Sequence, residues 1–183
     1  VSKADWQKLI RKAAPNFTVE GSGEGGVVRF GTFRNKTATR THPIKRGEPS
    51  VLSRKLKVHK GKKTILHATV SHHPHGDWEL RVKVDGKIIS KKVVSSKTTT
   101  DEWLTHEVDL SPYEGKEIKL ELENNPTGWM NEWAYWHEVK VSILPLSVKK
   151  KSSGKDQAKI VFIYGKPSHG RLKHENRAGT MIL

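Results

Sequence analysis

Asp77-Trp78-Glu79-Leu80-Arg81-Val82-Lys83-Val84-Asp85-Gly86-Lys87 is the stretch that decides the fold. Trp78, Leu80, Val82 and Val84 alternate with Glu79, Arg81 and Lys83, the period of a strand with one face in a core and the other in water. Asp85-Gly86 then supplies two residues that tolerate positive φ, as a tight two-residue hairpin turn requires. Residues 87–94 are therefore predicted to return as the antiparallel partner.

Working outward, the same period recurs. Residues 51–58 put Leu52, Leu56 and Val58 on one face, with Arg54 interrupting it, and residues 63–71 do the same with Leu66, Ala68 and Val70. Residues 102–110 align Leu104, Val108 and Leu110. After the turn Ser111-Pro112-Tyr113-Glu114-Gly115, residues 116–123 align Ile118, Leu120 and Leu122. A last strand over 134–143 places Tyr135, Val139, Val141 and Ile143 on one side. By that parity Tyr135, and Trp133 if the strand begins early, face the core, while Trp136 faces outward with Glu138 and Lys140. With 27–33 the count is about eight strands, with turns every 8–12 residues. The expected architecture is all-β, an antiparallel β-sandwich of the jelly-roll kind. Before it, residues 2–14 read as a short helix with Trp6, Leu9, Ile10 and Ala13 along one side, stopped by Pro15 and followed by a Gly-rich arm.

The chain has 183 residues, 34 Lys and Arg against 19 Asp and Glu, ten His and no Cys. Without Cys there are no disulfides, thiolate metal sites or Cys nucleophiles. No apolar run reaches the roughly 18–20 residues of a membrane-spanning helix. The net charge of +15 suggests a polyanion partner. Its distribution weakens that suggestion: residues 148–183 hold nine basic residues against two acidic, while 1–147 hold 25 against 17. In the longer part the lysines alternate with apolar residues as the wet face of strands does. Nucleic acid is thus not favoured as a partner.

The sequence divides into an N-terminal helix and arm (1–26), the sandwich (27–147), a basic linker (148–158) containing Lys149-Lys150-Lys151-Ser152-Ser153-Gly154-Lys155, and a last piece (159–183). In that piece Lys159-Ile160-Val161-Phe162-Ile163-Tyr164 is continuously apolar, as in a strand covered on both faces, and helical periodicity follows. It reads as the truncated start of an α/β domain.

Two blocks carry resemblances. The first includes Ser71-His72-His73-Pro74-His75-Gly76-Asp77-Trp78, Val108-Asp109-Leu110-Ser111-Pro112-Tyr113-Glu114-Gly115-Lys116, Asn125-Pro126-Thr127-Gly128-Trp129 and Tyr135-Trp136. It resembles the galactose-binding-like jelly-roll modules of large secreted or envelope proteins in planctomycete-type bacteria. That likeness implies a secreted or cell-envelope, non-catalytic module that binds carbohydrate. The second block, Lys159 to Gly170 with His174-Glu175 and Arg177-Ala178-Gly179, resembles the opening of ThuA-like, glutamine-amidotransferase-like domains. It implies an adjoining α/β domain as a partner, and a larger hydrolase to which the sandwich is an accessory.

Given a sugar ligand, indole faces would stack on its apolar C–H faces while polar side chains fix its hydroxyls. Trp129 and Trp136 are the expected platforms, with Asn125, Glu132, His42 and His73 as polar contacts. No catalytic set emerges: the carboxylates show no spacing that selects a glycosidase pair, and Ser168-His169 is not a nucleophile elbow. His72 and His73, adjacent on a strand, point to opposite faces, so a shared metal is disfavoured and the His73–Asp77 segment reads as a tight loop. No metal or cofactor is expected, although the fold is compatible with a structural divalent cation such as calcium. Two other functions stay open: an interaction module docking on the adjoining domain, and a polyanion binder.

Overall fold

The computed structural model describes residues 2–23 and 26–145. The expected linker at 148–158 and the expected α/β start at 159–183 lie outside the described residues.

Among the described residues one α-helix, α1 (Lys3–Ala13), precedes ten strands: β1 (Thr18–Gly21), β2 (Val28–Phe33), β3 (Lys36–Thr41), β4 (Ser50–Lys57), β5 (Lys62–His72), β6 (Trp78–Val84), β7 (Lys87–Val94), β8 (Leu104–Asp109), β9 (Glu117–Asn125) and β10 (Ala134–Pro145). They form two five-stranded antiparallel sheets. The first has the order β1-β4-β9-β6-β7 and the second β2-β3-β10-β5-β8. The sandwich is the jelly-roll architecture that the alternation predicts. The hairpin joining β6 to β7 turns on Asp85 and Gly86, with φ of 49° and 79°.

Between the sheets the alternating residues meet: Leu52 and Leu56 of β4, Leu80 and Val82 of β6, and Leu120 and Leu122 of β9 face Leu66 and Val70 of β5. Each such side chain contributes about 1.5–3 kcal/mol when fully buried. The helix starts in a reciprocal cap, with the Asp5 N–H donating to the Ser2 hydroxyl and the Ser2 N–H to the Asp5 carboxylate. It buries Ile10 and Ala13. Gln7 ties the chain leaving the helix back to it, donating to the Phe17 carbonyl at 2.7 Å and accepting from the Val19 N–H at 3.1 Å.

Two strands escape the alternation pattern. The short β1 offers little of it. Strand β3 has no large apolar residue at all; its inward positions are Thr39 and Thr41, whose hydroxyls are satisfied inside. Thr39 donates to the Leu9 carbonyl at 2.9 Å, and Thr41 accepts from the Trp136 indole at the same distance. A hairpin through Arg34 and Asn35, both with positive φ, joins β2 to β3.

The outward placement of Trp136 is overturned. Strand β10 pairs with β5 as Tyr135 with Ser71 and Trp136 with Val70, and then as Glu138 with Thr69. His137 is an extra residue, a β-bulge, and one inserted residue exchanges the faces of everything before it. Parity counted back from Val139 therefore fails at the bulge. Trp136 is 0% exposed, with its ring centroid 5.3 Å from that of Trp78, in the middle of the core. Tyr135 and Trp133 correspondingly leave the main core and belong to a small aromatic cluster with Ala38, Phe33 and Trp103.

Replacing Trp136 with Ala is expected to cost about 3–5 kcal/mol, and replacing Trp129 no more than about 1 kcal/mol. Urea unfolding midpoints of the two variants check the difference.

Candidate ligand-binding face

At one end of the sandwich the loop over 126–133 joins β9 to β10, and most of the expected polar contacts turn out to be its frame. Glu132 is 2% exposed. Its carboxylate accepts the Gly128 N–H at 2.5 Å and the Thr127 N–H at 3.1 Å. Burial pushes the Glu132 carboxyl above its ordinary pKa; the two N–H donors oppose the shift, and nearby Asp77 adds to it. The Thr127 hydroxyl donates to Asp77, tying this loop to the segment before β6. Gly76 is required there because a side chain would run into the Asn131 carbonyl.

His42 is 1% exposed and donates from Nδ1 to the Pro43 carbonyl at 3.0 Å. Its ring lies 4.7 Å from the Trp133 ring and 5.5 Å from that of Trp129. Asn125, also buried, donates to the Pro126 carbonyl at 3.2 Å. As solvent-facing ligand contacts, His42, Asn125 and Glu132 are corrected by this placement: the hydrogen-bonding groups of a buried side chain are taken up by the backbone around it. Trp129 and His73, in contrast, are half-buried and reach the surface. Nδ1 of His73 accepts the His75 N–H at 3.2 Å. Burial holds the His73 pKa below its ordinary value, and the charges of His75, Arg34, Arg40 and His72 add to this. Buried His72 turns its Nδ1 toward the His73 and Gly76 carbonyls. Among the described residues no three His, Asp or Glu side chains are grouped as metal ligands.

The outer faces of the two sheets differ in chemistry. On the first sheet, cations meet carboxylates: Arg81 with Glu79 at 2.5 Å, Lys83 with Glu123 at 2.8 Å, and Lys119 with Glu121 at 2.7 Å. On the second sheet Lys140 pairs with Glu138 at 2.9 Å and Arg34 with Glu102 at 3.4 Å, and three cations also meet rings. Lys36 lies 5.4 Å from the centroid of Trp103, Arg34 5.0 Å from that of Phe33, and Arg40 3.5 Å from that of Trp133. Phe33 stacks on Tyr135 with centroids 3.7 Å apart and planes 4° apart, and it meets Trp103 edge-on at 6.3 Å. Such contacts orient both partners and contribute roughly 0.5–2 kcal/mol each.

Beside Trp103 a groove of about 480 Å³ opens, lined by Lys36, Asp101, Trp103, Leu104 and the hydroxyl-bearing Thr98, Thr100 and Thr105. It is built by a tight turn. Thr100 and Trp103 exchange backbone hydrogen bonds at 3.0 Å, and Asp101 and Glu102 between them take φ of 49° and 67°. Left-handed non-glycine residues are uncommon and carry strain of order 1 kcal/mol or more. Trp103 anchors the turn by donating its indole N–H to the Arg34 carbonyl at 3.1 Å. Sequence reasoning missed this group. The signal was Trp103 directly after a Thr98-Thr99-Thr100-Asp101-Glu102 run, together with three basic residues on or beside a strand that alternation could not detect.

No protein-family model matches the chain, and no curated protein matches it significantly. Among solved structures, the xylan-binding CBM22-1 domain of Paenibacillus barcinonensis Xyn10C is similar with a TM-score of 0.49 and 15% identity, covering 71% of this chain and 86% of that one. A family 35 carbohydrate-binding module from an environmental isolate gives 0.47 and 15%, covering 71% and 90%. A cyclase from Fischerella sp. TAU gives 0.41 and 12%, covering 72% and 85%. Neighbours this distant leave the ligand to be argued from the side chains themselves.

The buried Glu132 carboxyl yields a pH prediction. Its folded pKa is raised, so it favours the folded state most below its unfolded value, and that contribution fades as pH rises through the folded one. Glu132→Gln is expected to flatten this decline across the weakly acidic range, as urea midpoints measured at successive pH values would show.

Proposed function

We propose that the sandwich is a non-catalytic carbohydrate-binding module whose ligand lies on the outer face of the second sheet, in the groove beside Trp103. The observation that carries this reading is the groove's lining: three hydroxyl-bearing threonines, one carboxylate and one ammonium, set against Leu104 and the largely buried Trp103. A sugar ring presents the complement of the polar lining, hydroxyls that both donate and accept at its rim. The groove stands on a sheet and a braced turn, so its groups are held before the ligand arrives.

Among the described carboxylates of this face, Glu102 is engaged by Arg34 at 3.4 Å, Glu107 by His67 at 2.9 Å and Glu138 by Lys140 at 2.9 Å, which leaves Asp101 as a hydrogen-bonding carboxylate. Trp129 keeps a place in this proposal. Half-buried at the loop end, it is where a longer glycan would find a further apolar surface.

Titration calorimetry against a panel of neutral and acidic glycans is expected to give heat with the native chain. Asp101→Asn retains a residue type that tolerates left-handed φ, and it is expected to weaken binding about tenfold, the effect of losing one charge-assisted hydrogen bond. Absence of binding across the panel, or unchanged affinity in Asp101→Asn, would overturn the proposal.

A further inference from the structure

Arg40, like Arg54 over Phe17 on the first sheet, is a guanidinium that the ion pairs leave without a carboxylate, and it is the one that stands on the ring-bearing face. Its side chain points to the outer face of the second sheet from β3, 3.5 Å from the Trp133 ring centroid. Its Nε is buried and has no hydrogen-bond partner. Among the described residues no carboxylate lies within ion-pair distance of it. A buried donor left without an acceptor costs about 1–3 kcal/mol, and more when it is charged. A guanidinium stacked on an indole is held flat, presenting the fork of N–H groups that matches a carboxylate or sulfate.

A second guanidinium stands close by. Arg40, Tyr135 and Ser71 form one cross-strand row over β3, β10 and β5. Arg34 donates to the Ser71 hydroxyl at 3.1 Å and lies over Phe33, the ring stacked on Tyr135. The two arginines thus flank the Phe33–Tyr135 stack. Arg34 is partly engaged by Glu102; Arg40 is not.

We infer that the glycan taken by this face is anionic, bearing carboxylate or sulfate ester groups, and that Arg40, with Arg34 on the other side of Tyr135, binds the oxyanion. This rests on the binding-module reading above and names its ligand class. A single-stranded nucleic acid also offers oxyanions, but it is bound through open ring faces on which bases stack. Here Trp103 is 6% and Tyr135 9% exposed, and the rings carry cations or one another. The neighbouring groove offers hydroxyl partners, which suits a sugar chain.

The test compares polygalacturonate, its fully methyl-esterified form, a sulfated galactan, a neutral galactan and a single-stranded oligonucleotide, each titrated into the native chain, Arg40→Leu and Arg40→Lys. Leu keeps an apolar contact on Trp133 and removes the unpaired charge, so its urea midpoint is expected to stay level or rise. The native chain is expected to bind polygalacturonate or the sulfated galactan at least tenfold more tightly than the esterified and neutral polymers, the two acidic arms telling carboxylate from sulfate. Arg40→Leu is expected to abolish that preference, and Arg40→Lys to keep part of it. Equal affinity for acidic and neutral glycans, or a preference that survives Arg40→Leu, would overturn the inference and leave the module reading standing. Binding of no glycan overturns both, and tighter capture of the oligonucleotide than of any glycan overturns the choice of ligand class.

Discussion

Because side chains alternate along a strand, one extra residue in β10 decides which aromatic groups hold the molecule together and which meet the outside. With His137 inserted, Ala134 and Trp136 point between the sheets, where Trp136 packs on Trp78 and donates to Thr41. The same insertion sends Trp133 and Tyr135 to the outer face, over which Arg40 and Phe33 close. The outer face then has rings where an unbulged strand would have presented Trp136 in their place. His137 itself is held by its Nδ1, 2.7 Å from the Thr37 carbonyl, and its ring lies 5.6 Å from Trp103. The residue that resets the parity thus also links β10 to β3 and to the turn that walls the groove.

Most of the fold was legible because alternation is a local signal that tertiary context seldom reverses. Trp78–Val84 and its Asp85-Gly86 turn need nothing beyond their own residues to specify a hairpin. Strand β3 was illegible for the opposite reason: its inner positions are threonines, whose polarity is neutralised by partners on α1 and β10 that lie far away in sequence. The bulge was illegible because no residue at 137 announces it; glycine would have, and histidine does not. The candidate site was less legible still. Its cations come from β3 and the turn before it, and its indole from a turn in which Asp101 and Glu102 adopt a conformation more usual for glycine or asparagine.

The residues first suggested as sugar contacts show how chemistry read from composition goes astray. His42, Asn125 and Glu132 are polar, lie near tryptophans in sequence or space, and would suit a hydroxyl ligand. Each is consumed instead by the loop it supports. Glu132 gathers the Thr127 and Gly128 N–H groups of the turn, at the cost of desolvating its own charge. A polar side chain becomes available to a ligand only where the backbone around it is already satisfied, and strands supply that condition better than loops do. The ladder bonds of β3, β5 and β10 occupy their backbone groups, leaving side chains such as Arg40 free for recognition.

The net charge says little about partners until it is divided by face. On the first sheet Arg81, Lys83 and Lys119 each sit beside a carboxylate in the same or a neighbouring strand, which weakens the long-range field of those cations, and what remains falls off within a Debye length. On the second sheet Arg34, Lys36 and Arg40 rest on aromatic rings, which stabilise them without neutralising them. A ring orients a cation yet leaves its outward hydrogen-bond donors unspent, whereas a carboxylate takes them up. Desolvation by the ring strengthens whatever hydrogen bond the cation later makes, because the competing water is already partly displaced. An arginine held in this way is preorganised for an oxyanion, which a flexible surface lysine of equal charge is not. The second sheet's specificity therefore follows from geometry that Trp133, Phe33 and Trp103 impose on three cations, more than from the sum of charges along the chain.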